Sequence, residues 1–208
     1  MQLQNYYYWF KDAIPHHVCD DIVRYAKSIQ DEMAVTGGLG NRKLNKKEVQ
    51  DLKKKRDSDI VWMNDRWVYK EIQPYIHEAN AAAGWNFNWD YSESCQFTKY
   101  KKGQYYDWHC DSWDRAYHKP EEPTSHGKQR KLSVTLSLSD DKDYSGGELE
   151  FDMRNKDPDK KSNTHVLKEI RSKGSLVVFP SDVWHRVKPV KRGVRHSLVI
   201  WNLGYPFK

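Results

Sequence analysis

The first ninety residues carry their hydrophobic positions three and four apart, whereas the remainder carries them two apart. Val18, Ile22, Val23, Ala26 and Ile29 follow Pro15 at helical spacing, with acidic Asp20 and Asp21 early in the run, which predicts a helix starting near Pro15. A second stripe comprises Trp67, Val68, Ile72, Ile76 and Ala79. It predicts another helix, capped by Asp65, kinked at Pro74 and ended by Gly84. Residues 6–10 form a short aromatic run that reads as an edge strand, and residues 60–63 read as a strand. Between them, Gly37-Gly-Leu-Gly40 breaks the pattern, and the run to Ser58 reads as loop or frayed helix.

After Gly84 the period falls to two, starting with Phe87 and Trp89. Residues 131–139 alternate most cleanly: Leu132, Val134, Leu136 and Leu138 on one face, Ser133, Thr135, Ser137 and Ser139 on the other. Similar runs occupy residues 95–100, 104–108, 148–153, 164–170, 175–179, 185–190 and 194–201. Eight short strands separated by turn-rich gaps predict a β-sandwich or barrel, with the earlier helices leaning their apolar stripes on a sheet. Two gaps are long, residues 112–129 and 152–163.

Length and composition narrow the class. A chain of 208 residues with 38% hydrophobic and 13% aromatic content suits one domain spanning residues 1–208, a helical support over about 1–90 and a β core over about 91–204. Mean hydropathy is −0.98 and no run nears the roughly 18 apolar residues of a membrane span. The N-terminal residues lack the basic start and apolar centre of a secretory signal, and Cys19, Cys95 and Cys110 form no disulfide or Cys-x-x-Cys pattern. A cytoplasmic location with reduced thiols is expected. Between Asn41 and Arg56 eight basic residues face two acidic ones, a local excess equal to the net +6 of the whole chain. Such a segment suits a solvated face or an acidic partner, nucleic acid included. The glycines at 37–40 are no phosphate loop, since no strand precedes them and no Gly-Lys-Ser/Thr follows.

The candidate chemistry lies in Tyr100-Lys-Lys-Gly-Gln-Tyr-Tyr-Asp-Trp-His109-Cys-Asp111. On a strand, residues i and i+2 share a face, so His109 and Asp111 point together and Cys110 points elsewhere. A second imidazole from His185, in Phe179-Pro-Ser-Asp-Val-Trp-His185, would complete a two-His-one-carboxylate set, which is diagnostic of non-haem Fe(II) oxygenases. Arg195 follows ten residues later on a strand whose alternation puts Ser197, Val199 and Trp201 on the same face. Lys191 and Arg192, before Gly193, read as turn residues. The other seven histidines have no ligand spacing.

The ordered set Tyr-x-x-Gly-x-x-Tyr-x-x-His-x-Asp, then Ser145-Gly-Gly-Glu-Leu149, Gly174-Ser-Leu-Val-Val-Phe-Pro, His185 and Arg195 resembles the iron- and 2-oxoglutarate-dependent dioxygenases. It is most similar to their prolyl 4-hydroxylase-type branch, which includes PKHD-type hydroxylases. The resemblance spans roughly residues 95–201. It implies a mainly β protein with flanking α-helices, whose core is a double-stranded β-helix (jelly roll). Its implied metal ligands are His109, Asp111 and His185. Arg195 would hold the distal carboxylate of 2-oxoglutarate, helped by Tyr100 and Ser197. Leu136 stands where some relatives carry a second co-substrate tyrosine. Trp113, Trp184, Leu136, Val199 and Trp201 become candidate substrate walls, and the 112–129 gap a candidate lid.

The implied cofactors are Fe(II), 2-oxoglutarate and O2, with ascorbate a further candidate. The implied reaction hydroxylates an unactivated C–H bond, foremost in a prolyl residue of a peptide or protein, and releases succinate and CO2. A free amino acid, a small metabolite or nucleic acid fits the same core. Two rivals, a hydrolytic zinc site and a non-catalytic cupin-type module, would need no 2-oxoglutarate.

Overall fold

The computed structural model describes residues 5–29, 32–33, 45–112, 114–153 and 163–207. Their elements run β1 (Tyr8–Phe10), α1 (His16–Ser28), β2 (Glu32–Met33), α2 (Lys46–Lys55), β3 (Arg56–Asp57), β4 (Asp59–Met63), α3 (Arg66–Ala82), β5 (Tyr91–Ser92) and β6 (Cys95–Tyr100). They continue with β7 (Tyr105–His109), β8 (Gln129–Ser137), β9 (Tyr144–Gly146), β10 (Leu149–Asp152), β11 (Thr164–Val166), β12 (Leu176–Pro180), β13 (His185–Val187), β14 (Val190–Gly193) and β15 (Arg195–Gly204). The larger sheet has the order β1-β12-β8-β15-β6-β4-β2, with β5 also on β15. The smaller has the order β11-β10-β13-β7-β3, and β14 pairs with β9. Strands from the first ninety residues thus complete both sheets.

Two apolar layers follow from the strand period. Directly opposed residues share a face, so the register Leu198↔Leu136↔Leu176 and Phe97↔Val61 assembles one layer on the helix side of the large sheet. Cys19, Ile22 and Ala26 of α1 and Val68, Ile72, Ile76 and Ala79 of α3 complete it. The other faces of the two sheets enclose Tyr100, Phe151, Val177, Phe179, Val183 and Val187. Burial at about 1.5–3 kcal/mol per large apolar side chain makes these layers the main stabilising term.

The structure differs from the expected elements in several places. The basic run is a full helix, α2, because Asn45 accepts from the Glu48 amide while the Glu48 carboxylate accepts from the Asn45 amide. Trp67 leaves the α3 stripe and is exposed, since the buried positions step by four and three from Val68. Asp65 occupies the N-cap of α3 without a side-chain cap bond; its Oδ1 accepts from the Tyr25 hydroxyl instead. α1 has Pro15 as its N-cap and no acidic residue in its first turn, Asp20 and Asp21 coming one turn later. Phe87 and Trp89 lie outside any strand, which comes next at β5. Lys191 and Arg192 belong to β14 rather than a turn. Residues 37–40 and 154–162 lie outside the described residues, and no described helix is long and apolar enough to cross a membrane.

The serine face of β8 is buried too: Ser133, Thr135 and Ser137 face the space between the sheets. Polar side chains inside such a layer cost stability unless they find partners. They point to a site.

Candidate metal centre

β7 ends at His109 and β13 begins at His185, and the two residues are directly opposed across an antiparallel pair. Asp111 follows on a segment tied down by the Asp111 and Ser112 amides, both donating to the Ser181 carbonyl at 2.8 Å. The separate motifs are therefore joined by backbone. One donor atom from each of His109, Asp111 and His185 lies within 4.8 Å of the others. Nε2 of His109 is 3.8 Å from Asp111 Oδ1, and Nε2 of His185 is 3.7 Å from Oδ2.

Each imidazole is oriented from behind. Nδ1 of His109 donates to the Asp107 carbonyl at 2.7 Å and Nδ1 of His185 to the Val183 carbonyl at 3.0 Å, the tautomer that leaves both Nε2 lone pairs facing the carboxylate. Burial, then the neighbouring His185, pushes His109 down to about 3, so it is a neutral donor at physiological pH. Burial works to raise Asp111, but His185, His109 and Arg130 outweigh it and hold the carboxyl below the usual carboxylate range. Two imidazoles and a carboxylate, with no thiolate among them, fit Fe(II). Cys110 turns away, its thiol donating to the Ser112 carbonyl. The Tyr106 ring stacks on His109 with centroids 3.5 Å apart, and Phe179 packs on His185.

Beside this cluster lies a second cradle. Arg195, 3% exposed, pairs with no carboxylate among the described residues; its Nη1 donates to Ser197 Oγ at 3.1 Å and its Cζ lies 5.6 Å from the centre of the Tyr100 ring. Arg195 opposes Tyr100, and Ser197 opposes both Thr98 and Ser137, so all five share the inner face. Thr98 Oγ1 is buried with no partner. A buried guanidinium lacking a counter-charge beside an orphaned hydroxyl fits a bound carboxylate, such as the distal end of 2-oxoglutarate.

The remaining residues singled out from the sequence divide. Val199 and Trp201 share Arg195's face. Leu136 does not; it packs in the helix-side layer because it is one residue out of phase with Thr135 and Ser137. The inner hydroxyls of Thr135 and Ser137 stand where Leu136 was expected. Trp184 is 41% exposed at the surface, and Trp113 lies outside the described residues.

Three residues had gone unnoticed. Arg130 lies 3.9 Å above the Trp201 ring, pairs with Glu93 at 2.6 Å and reaches the Asp111 carbonyl. Arg56, 7% exposed, donates to Gln96 and Ser58 and stacks over Tyr106. Thr98, two residues before Tyr100, was readable from strand alternation; the two arginines, inside basic runs, carried no local signal.

The description of the family model that matches residues 95–202, just over half of the chain, is 2OG-Fe(II) oxygenase superfamily. A PKHD-type hydroxylase of Synechococcus sp. (strain CC9902) is 36% identical over 104 residues, which are 50% of this chain and 38% of that protein. The chain thus matches well under half the length of such relatives. Among solved structures, a viral collagen prolyl hydroxylase from Paramecium Bursaria Chlorella virus-1, in a 2OG complex, superposes with a TM-score of 0.63 at 20% identity over 97% of each chain. A prolyl hydroxylase from Trichoplax adhaerens, in complex with a hypoxia inducible factor peptide fragment, gives 0.60 at 15% identity over 96% of this chain and 84% of its own. At these identities the likeness shows the fold, a jelly-roll core with flanking helices.

Proposed function

The chain belongs to the 2OG-Fe(II) oxygenase superfamily, and we propose that it hydroxylates an unactivated C–H bond of a prolyl residue in a peptide or protein. Fe(II) and 2-oxoglutarate with O2, which the family implies, would supply the oxidising chemistry and release succinate and CO2. The observation that carries this reading is the pairing of two Nδ1-anchored imidazoles and a carboxylate with a buried, carboxylate-free Arg195 on the same inner layer.

In this reading His109, Asp111 and His185 would hold the metal. Arg195, Ser197 and Thr98 orient the distal carboxylate of the co-substrate, and the rings of Tyr100 and Phe179 with Val177 and Val187 keep water out. The protein's part is position and dryness rather than proton transfer.

A peptide substrate is supported by a buried donor that lacks an acceptor. Trp201 Nε1 has no hydrogen-bond partner. A main-chain carbonyl would satisfy such a group, while Trp62, 6.1 Å from Trp201, offers an apolar wall for a pyrrolidine ring. A solved structural neighbour is a prolyl hydroxylase in complex with a peptide fragment.

The test incubates the iron-loaded chain with 2-oxoglutarate and a panel of proline-containing peptides, following succinate and peptide mass together. Peptide-stimulated succinate and the gain of one oxygen on proline, both lost in His185→Ala, are expected. Succinate formation indifferent to every peptide would contradict the prolyl assignment.

A further inference from the structure

Away from the metal centre, residues 85–90 and residues 204–207 line a cleft of about 560 Å³, within the range of small-ligand sites. None of the metal or Arg195-cradle residues lines it. Its walls are the rings of Trp85, Phe87, Trp89, Tyr205 and Phe207, and it contains Lys131. The wall at residues 85–90 is held in shape: the Asn80 side chain both donates to the Phe87 carbonyl and accepts from its amide at 2.9 Å, and Asn86 takes a left-handed φ of 52°. Gly204 closes the floor, where a Cβ would stand 2.1 Å from the Asn88 carbonyl oxygen.

Lys131 is the anomaly. It is only 3% exposed, and its Nζ is shielded from solvent with no hydrogen-bond partner and no carboxylate among the described residues. It lies over the Phe207 ring, 3.3 Å from the centroid. Nearby Lys128, by contrast, is neutralised by Asp90 at 2.7 Å. Strand register explains how the side chain came here. β8 and β15 pair Leu132 with Asn202 and then Arg130 with Leu203, leaving Lys131 as an extra residue in a bulge, a feature that re-aims side chains. Arg130 serves the metal side while Lys131 reaches Phe207.

Burying an ammonium without a counter-charge is costly, and a cation–π contact offsets only part of that cost. What the position lacks is an anion. The flat rings around it select a planar body, and Phe207, which covers the ammonium, is itself 55% exposed. We propose that this cleft is a second ligand site, which takes a small aromatic carboxylate with its carboxyl group on Lys131 Nζ and its ring among Trp85, Phe87 and Trp89.

The test is isothermal titration calorimetry of the full chain with benzoate and indole-3-carboxylate, using benzamide and indole as neutral counterparts. Excess 2-oxoglutarate throughout keeps the probes off Arg195. The carboxylates bind and the neutral analogues do not; Lys131→Met weakens binding roughly tenfold or more, Lys131→Arg retains it, and Phe207→Ala, at an exposed position, preserves or tightens it. Absence of binding by both carboxylates, equal binding of benzoate and benzamide, or unchanged affinity in folded Lys131→Met would overturn the proposal. Wild-type discrimination between benzoate and benzamide decides it without any substitution.

Discussion

Burial lowers His109 while neighbouring charges overcome burial at Asp111, and both net shifts favour metal binding. The imidazole stays neutral down to about pH 3, and the carboxyl stays ionised below its ordinary range. For His109 the native value lies below the 6.5 of a free imidazole, so between those values the unfolded chain binds a proton that the native chain refuses. Stability of the metal-free protein should therefore fall on acidification through this window, by at most about 1.4 kcal/mol per pH unit, and Asp111 adds a loss of the same sign lower down. Thermal unfolding against pH checks this; a midpoint that is flat or rises as pH drops below 6.5 counts against the assignment. Thr98 offers a sharper residue-level test. Thr98→Val removes an orphaned hydroxyl from the Arg195 cradle, and 2-oxoglutarate binding should weaken roughly threefold to tenfold while Thr98→Ser restores it. The pairing of His109 with Asp111 was legible because a spacing of two on a strand fixes a shared face, whereas His185 and Arg195 were singled out through the resemblance of the ordered motifs to the family. Arg130 and Arg56 were not, because only tertiary contact distinguishes a buried arginine from its solvated neighbours in a basic run.

Among the elements, the β9–β10 connection bears most directly on the site. Gly146 and Gly147 both adopt positive φ, and a Cβ on Gly147 would stand 2.9 Å from Val190 Cγ2 and 3.0 Å from Arg195 Cδ. Gly147→Ala should cost about 1 kcal/mol or more in stability and weaken 2-oxoglutarate binding by displacing the Arg195 stem, while leaving metal affinity near wild type. Unfolding and co-substrate titrations together test this, and unchanged 2-oxoglutarate affinity in a folded variant would refute the positioning role. Most strands of the β region were readable from alternation, with β5, β9 and β14 the exceptions, and helices α1 and α3 were readable from their stripes. α2 was legible in principle, since Asn45-x-x-Glu48 is a capping-box pattern, but its run of lysines masked the amphipathic signal. Phe87 and Trp89 mimicked strand alternation because aromatic residues are favoured there; here they wall a cleft instead.

Across the whole molecule, the large sheet separates two layers with different duties: the helix side carries stability and the inter-sheet side carries the site. Leu136 and Thr135 are neighbours in sequence yet belong to opposite layers. Leu136→Ala should cost about 2–5 kcal/mol of stability with 2-oxoglutarate affinity unchanged in the folded fraction, as measured by denaturant unfolding and ligand titration. A strong affinity loss without destabilisation would return Leu136 to the pocket. The curvature and closure that bring β7, β13 and β15 around one centre depend on long-range pairing, which no local window of sequence contains. The central claim is that the triad and Arg195 serve one metal-bound co-substrate. It is tested most directly by anaerobic titration of the metal-free chain with Fe(II) and 2-oxoglutarate. A visible charge-transfer band should develop, disappear in Asp111→Ala, and require roughly thirtyfold or more 2-oxoglutarate in Arg195→Ala. A folded wild-type chain that gives no band, or an Arg195→Ala chain that titrates like wild type, would contradict the account.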